Sequence, residues 1–348
     1  MNPPGWSPSH RALLRCLLGA APAAEGVAWL RAADLDRLDH ETARLLPRLY
    51  HQLRAEGVAE ADLPPRVKGL VRHTWTRNQA LLHEAAPALA ELTRRAVPWR
   101  LVGGAAVLAA TGGDLSARPL RDLDLLVRPA DLPATAEALH AAGWRTHVRD
   151  VPQLVQWFHR VRWTAPHGLL DVHVRPLLED RDSANLAFTW SGARTATLGT
   201  LSAALPPPDI LLLSACVAGW FTPRPPALMW ALDAADLLRS GGMEEDSLAD
   251  LATRAGLAGP FDFALSVLSE LAPRLVPEAL RLAIHARPSP HPALRWHDRL
   301  GSGPRLWRAH REAGGHPWFP AAVQEATGLS VAASLARRWR RTDPGDTA

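Results

Sequence analysis

Arg121-Asp122-Leu123-Asp124-Leu125-Leu126-Val127 is the stretch on which the reading of this chain turns. Its alternation predicts a β-strand, because successive side chains of a strand point to opposite faces. Asp122 and Asp124 therefore share one face, and Leu123 and Leu125 point the other way, into a core. Two carboxylates with no lysine between them repel each other. Alone, such a pair also suits the solvent face of an edge strand. On a face turned toward a ligand it suits a hard cation, and Mg²⁺ is the usual partner of carboxylate oxygens.

Two neighbouring segments sharpen that choice. Upstream, Pro98 to Val102 reads as a short strand ending in Gly103-Gly104, with a helix from Ala105 to Thr111. Glycines at such a junction let the backbone approach a phosphate, and the helix N-terminus supplies N–H donors and a positive dipole end. Downstream, Leu169-Leu170-Asp171-Val172-His173-Val174-Arg175 alternates again, placing Asp171, His173 and Arg175 on one face. A third carboxylate on a neighbouring strand would complete a site for two metal ions of the kind used in phosphoryl chemistry. His173 would orient a carboxylate, contact a nucleotide base or close a buried polar network.

Three zones surround this core. Residues 1–97 read as helical: Leu35, Leu38, Leu45, Leu46, Leu49 and Leu53 recur at helix spacing. Pro47 is expected to kink or split that helix. Pro64-Pro65 opens a second helix whose stripe runs through Val67, Val71, Trp75, Asn78, Leu82 and Leu89. Residues 98–204 alternate strands and helices: a helix over Asp131 to Ala142 is capped by Gly143, and strands at Val161 to Thr164 and Leu169 to Val174 flank the turn Ala165-Pro166-His167-Gly168. Residues 205–348 read as helical again, with helices at Asp209 to Trp220, Ala227 to Ser240, Ser247 to Ala255 and Phe261 to Leu271, then a basic tail containing Leu335-Ala336-Arg337-Arg338-Trp339-Arg340-Arg341. The expected class is α+β: a small mixed sheet with helices, flanked by N-terminal and C-terminal helical regions.

Composition narrows the function classes. Of 348 residues, 47% are hydrophobic and 21% charged, ordinary values for a globular chain. The two cysteines, Cys16 and Cys216, each sit in an apolar run, which excludes a disulfide scaffold and a cysteine zinc site and predicts buried thiols. No stretch approaches the roughly 18 apolar residues of a membrane span, and the N-terminus lacks the basic-then-apolar order of a signal peptide, so the cytoplasm is the expected location. The net charge of +4 suits an anionic substrate. Lys68 is the only lysine, and the arginine-rich composition by itself argues for no function. Trp75, Trp157, Trp163 and Trp230 fall on apolar stripes and are expected in the core; His159 and His167 are expected at the surface.

Taken in order, Gly103-Gly104, Asp122-x-Asp124 and Asp171 resemble the DNA polymerase β-type nucleotidyltransferase superfamily. More narrowly, Val102-Gly103, the string Arg118-Pro119-Leu120-Arg121-Asp122-Leu123-Asp124-Leu125-Leu126-Val127, and Asp171-Val172-His173 are similar to an uncharacterised bacterial nucleotidyltransferase family, some members of which lie beside lasso-peptide genes. The stretch from Trp230 to Leu238, with Asp233, resembles that family's C-terminal helix. The resemblance implies that Gly103 and Gly104 cradle phosphates, that Asp122 and Asp124 bind two Mg²⁺ ions, and that Asp171 completes the site of the ion activating the acceptor hydroxyl. Arg118 would contact the triphosphate or brace its loop. Val102 stands where a lysine is common, and Arg118 or Arg121 would replace its phosphate contact, a role that suits the arginine fork.

The expected activity is transfer of a nucleoside monophosphate from an NTP, with ATP the default donor by abundance, to a hydroxyl of a peptide natural product or a small molecule. A nucleotide-binding protein of the same fold with impaired catalysis, and an RNA- or tRNA-modifying toxin suggested by the basic tail, are the alternatives.

Overall fold

The computed structural model describes residues 6–148, 151, 160–176, 183–192, 194–220 and 227–287. Trp157, His159 and the basic tail lie outside them.

The acidic strand forms as its alternation requires. β2 spans Leu123–Val127, with Leu123, Leu125, Leu126 and Val127 fully buried and Asp122 immediately before it. It lies between β1 (Trp99–Val102), which runs antiparallel to it, and β4 (Leu169–His173), which runs parallel; β3 (Arg160–Thr164) pairs antiparallel with β4 at the sheet's edge. The order β1-β2-β4-β3 makes a small mixed sheet. The parallel register sets Asp124 beside Asp171, and the β3–β4 hairpin sets Arg162 opposite Asp171.

Helices cover the sheet. The N-terminal region supplies α1 (Pro8–Leu17), α2 (Ala23–Ala32), α3 (His40–Ala55) and α4 (Pro65–Arg94). α4 starts with Pro65 at its first position, where a missing N–H costs nothing. α5 (Gly103–Ala110) follows β1 directly, and α6 (Leu132–Ala141) follows β2 and packs on α4. α7 (Ser183–Trp190) precedes a second, two-stranded sheet of β5 (Arg194–Leu198) and β6 (Leu201–Leu205). The C-terminal helices are α8 (Pro208–Trp220), α9 (Met229–Ser240), α10 (Glu245–Arg254), α11 (Ala258–Leu271) and α12 (Glu278–His285). One apolar core runs from Trp6 to Ile284. The class is α+β. No helix among the described residues is long and apolar enough to cross a membrane.

Several local expectations change. α3 continues through Pro47, which is buried within the helix rather than splitting it. Trp75 is 51% exposed, because Thr74 and Asn78 take the inward positions on that side of α4. Trp163 and Trp230 are buried as expected, and Trp6 stacks on Trp230 with ring centroids 5.9 Å apart. Cys16 and Cys216 are buried free thiols, and burial pushes the thiol pKa of both up. His167 is exposed at the β3–β4 turn. The β5–β6 hairpin, turning at Gly199-Thr200, is an element not expected from the sequence.

The connection between α5 and β2 positions the acidic residues, and Asn78 of α4 holds it. Its amide donates to the carbonyls of Leu115 (2.6 Å) and Arg118 (2.8 Å), and its side-chain oxygen accepts from the Leu120 amide (2.9 Å). Asn78 is fully buried, so each of these partners would be left without water if the side chain were shortened. Asn78→Ala is therefore expected to lower unfolding stability by about 3 kcal/mol. Denaturant titration checks this, and a change under about 0.5 kcal/mol would show that the connection holds without the clamp.

Candidate active site

The strand–helix junction carries two close approaches. Gly103 has φ +62°, a backbone conformation that disfavours any side chain, and a methyl group there would overlap the Asp124 carboxylate. A methyl group on Gly104 would overlap the Arg118 guanidinium. The two glycines thus let a carboxylate and a guanidinium lie against the first turn of α5.

Arg118 reaches that position in a fork-to-fork ion pair with Asp233 of α9: Nε donates to Oδ1 at 2.7 Å and Nη2 to Oδ2 at 2.6 Å. Both side chains are 12% exposed, so the pair is largely desolvated. The pairing ties the connection between α5 and β2 to α9. Three positions further along α9, Asp236 takes a bidentate pair from Arg48 of α3, at 2.6 and 2.9 Å. The N-terminal and C-terminal helices are thereby tied together next to the connection that enters β2. Arg121 is exposed immediately before Asp122.

The acidic face brings Asp122, Asp124, Asp171 and His173 together. His173 Nε2 lies 2.8 Å from Asp124 Oδ1. One ligand atom from each of Asp124, Asp171 and His173 lies within 4.8 Å of the others. Asp171 is fully buried and is met by two guanidiniums. Arg162 donates from Nε to Oδ1 (2.7 Å) and from Nη2 to Oδ2 (2.7 Å), and Arg160 Nη1 adds a bond to Oδ2 (2.9 Å). Arg162 Nη2 also reaches Asp122 Oδ2 at 3.1 Å, bridging the two carboxylates. Arg160, Arg162, Asn78 and the pairing role of Asp233 are functional features the sequence reading missed.

The electrostatics follow from this crowding. Burial, then the charges of Asp124 and Asp171, push the Asp122 carboxyl up to about 7, against the pull of Arg162 and Arg160. Burial also works against ionisation of Asp124, but the His173 hydrogen bond and the nearby arginines outweigh it and hold its carboxyl below the usual carboxylate range. The hydrogen bonds to Asp171, with the nearby carboxylates, hold the Arg162 guanidinium pKa above its ordinary value against burial. A carboxylate pair in which one member is driven toward protonation is a surface a hard divalent cation would relieve, and oxygen donors at Asp122 and Asp124 fit Mg²⁺.

Residues 37–273 match the model of a family described as an uncharacterised nucleotidyltransferase, and the chain belongs to that family. Membership defines it as a nucleotidyltransferase in class. No curated protein matches the chain. Among solved structures, it is similar to the antibiotic-resistance factor ANT(2'')-Ia, whose solution structure reveals substrate-regulated conformation dynamics: identity is 13% and the TM-score 0.39, over 56% of this chain and 97% of that one. It is also similar to an antigenic nucleotidyltransferase-like protein from Paracoccidioides brasiliensis, with 15% identity and a TM-score of 0.35, over 59% of this chain and 92% of that one.

The raised Asp122 pKa has a measurable consequence. In the unfolded chain an aspartate titrates at about 3.9, whereas burial and the neighbouring carboxylates push the Asp122 carboxyl up to about 7 in the folded, metal-free protein. Stability linked to this group is fully present below the unfolded value and is lost as pH rises through the folded one. The metal-free protein is therefore expected to melt at a lower temperature at pH 8 than at pH 5.5. Asp122→Asn should remove most of that difference, and thermal melts of both proteins across this range check it. An unchanged pH dependence in the variant would contradict the assignment.

Proposed function

We propose that the chain transfers a nucleoside monophosphate from an NTP to a hydroxyl of an acceptor, with ATP the default donor and a peptide natural product or small molecule the acceptor. The observation that carries this reading is the carboxylate face itself: Asp122 and Asp124 share one side of β2, and Gly103 opens α5 beside them. A divalent ion held by Asp122 and Asp124 would neutralise the triphosphate and the charge that develops during transfer.

The chain's own residues position the reaction. The N-terminus of α5 begins beside Asp124, and its amide donors and dipole suit a phosphate. Arg118, held by Asp233, keeps the Gly104 turn and the entry to β2 in place. His173 holds the Asp124 carboxylate in orientation. The acceptor hydroxyl attacks the α-phosphorus, the bond to the bridging oxygen breaks, and pyrophosphate leaves; the hydroxyl proton is lost on the carboxylate face. Most of the rate enhancement comes from alignment and charge complementarity. The N-terminal and C-terminal helical regions, joined by the Arg48–Asp236 pair, are the surfaces offered to the acceptor.

A second reading, binding without turnover, draws on the ion pairs that already neutralise Asp171. It predicts affinity for MgNTP with no transfer.

Incubation with each α-³²P-labelled NTP, Mg²⁺ and a lysate of the source organism distinguishes the two. Label is expected in a lysate component with the wild-type protein, falling at least ~100-fold with Asp122→Asn or Asp124→Asn, the scale on which loss of one electrostatic contact slows such chemistry. No label with any of the NTPs, from a folded protein, would favour the second reading.

A further inference from the structure

The placement of Arg162 raises the question of how many cations this site takes. In the two-ion arrangement that the resemblance implies, Asp171 would complete the site of the second ion, alongside Asp122 and Asp124. Here the Arg162 guanidinium bridges Asp171 and Asp122 instead, with its fork on Asp171 and Nη2 on Asp122. It is not a stray surface side chain. Register places Arg162 directly across from Asp171, and the side chain is only 19% exposed. Arg160, two residues earlier on the same face of β3, adds a second guanidinium to the same carboxylate.

Charge and donor capacity point the same way. Three carboxylates against two guanidiniums leave a single net negative charge on this face before His173 is counted. One divalent cation turns that single negative charge into a single positive one, which faces the anionic triphosphate. A second ion would sit against two guanidiniums of its own sign. Asp171 already accepts three strong N–H bonds on its two oxygens, which nearly fills its lone pairs. Asp122 and Asp124 carry the acidic character that remains.

Building on the nucleotidyl-transfer reading, we infer that this protein holds one divalent cation, at Asp122 and Asp124, and that Arg162 with Arg160 supplies at Asp171 the positive charge of the second. The arginine pair fixes Asp171 as a positioning residue and leaves a guanidinium edge next to the place where the acceptor hydroxyl and the α-phosphate meet. A guanidinium stays protonated at any working pH, so it cannot generate a metal-bound nucleophile; it can stabilise charge and hold geometry.

Counting ions decides this without any turnover. The full-length protein is titrated with Mn²⁺ in the presence of an α,β-methylene nucleoside triphosphate and followed by electron paramagnetic resonance. The wild type is expected to bind one Mn²⁺ per chain with the signal of an isolated ion. The Arg160→Gln/Arg162→Gln double variant, with Asp171 released, is expected to bind two, with the broadened signal of a coupled pair. Two ions in the wild type would overturn the inference, as would a count that stays at one in the folded double variant. If the double variant fails to fold, the wild-type count decides alone. A folded wild type that retains no ion even with nucleotide would instead tell against MgNTP binding itself, on which both functional readings rest, whereas failure of transfer alone leaves the single ion in place and shows only in the label assay.

Discussion

Carboxylate repulsion on one face of a small sheet is the constraint the surrounding structure answers. The parallel register of β2 and β4 sets Asp124 beside Asp171, with Asp122 next to them, and nothing in β2 itself relieves their mutual charge. Relief comes from outside β2: His173 on Asp124, Arg160 and Arg162 on Asp171, and the reach of Arg162 to Asp122. What relief remains incomplete is concentrated at Asp122, whose carboxyl is driven up to about 7. Sites that do chemistry often keep such an unsettled group, because the energy is recovered when the ligand arrives.

A second layer keeps this arrangement in place. The connection between α5 and β2 touches all three regions of the chain: Asn78 of α4 grips its backbone, Arg118 within it pairs with Asp233 of α9, and Arg48 of α3 pairs with Asp236 on the same helix. The glycines at 103 and 104 are needed less for flexibility than for room, since the Asp124 carboxylate and the Arg118 guanidinium occupy the space a side chain would take. The helical flanks are thus mechanically part of the site. Any acceptor bound between them would be read by surfaces whose spacing is set by ion pairs, of which Arg118–Asp233 is largely buried and costly to break one partner at a time.

Much of this was legible in the sequence, for reasons that differ by residue. The strands at 123–127 and 169–173 announced themselves by alternation, and the shared face of Asp122 with Asp124 followed from the period of a strand. The C-terminal helices were readable because α8 and α11 are strongly apolar and α9 and α10 carry apolar residues at helix spacing, such as Leu248, Leu251 and Ala252 of α10. What escaped was tertiary. Arg162 looks like one more arginine in an arginine-rich chain until the hairpin is counted outward from its Ala165–Gly168 turn, which pairs Thr164 with Leu169, Trp163 with Leu170 and Arg162 with Asp171. That counting was available in principle. The Arg118–Asp233 pair spans 115 residues and was not. Asn78 sat in plain view on an otherwise apolar stripe, and a polar residue at such a position is a sign that it grips something. The β5–β6 hairpin was hidden by its small residues, with alanine and threonine giving too weak a contrast between faces.

The proposed function rests on the binding of a nucleoside triphosphate to the Asp122–Asp124 face through a divalent cation. Calorimetric titration of the full-length protein with an α,β-methylene nucleoside triphosphate, with and without Mg²⁺, tests it most directly, beside the Asp122→Asn/Asp124→Asn double variant. Binding is expected to require Mg²⁺ and to disappear in the folded variant. Binding of equal strength without the ion, or in the variant, would contradict it.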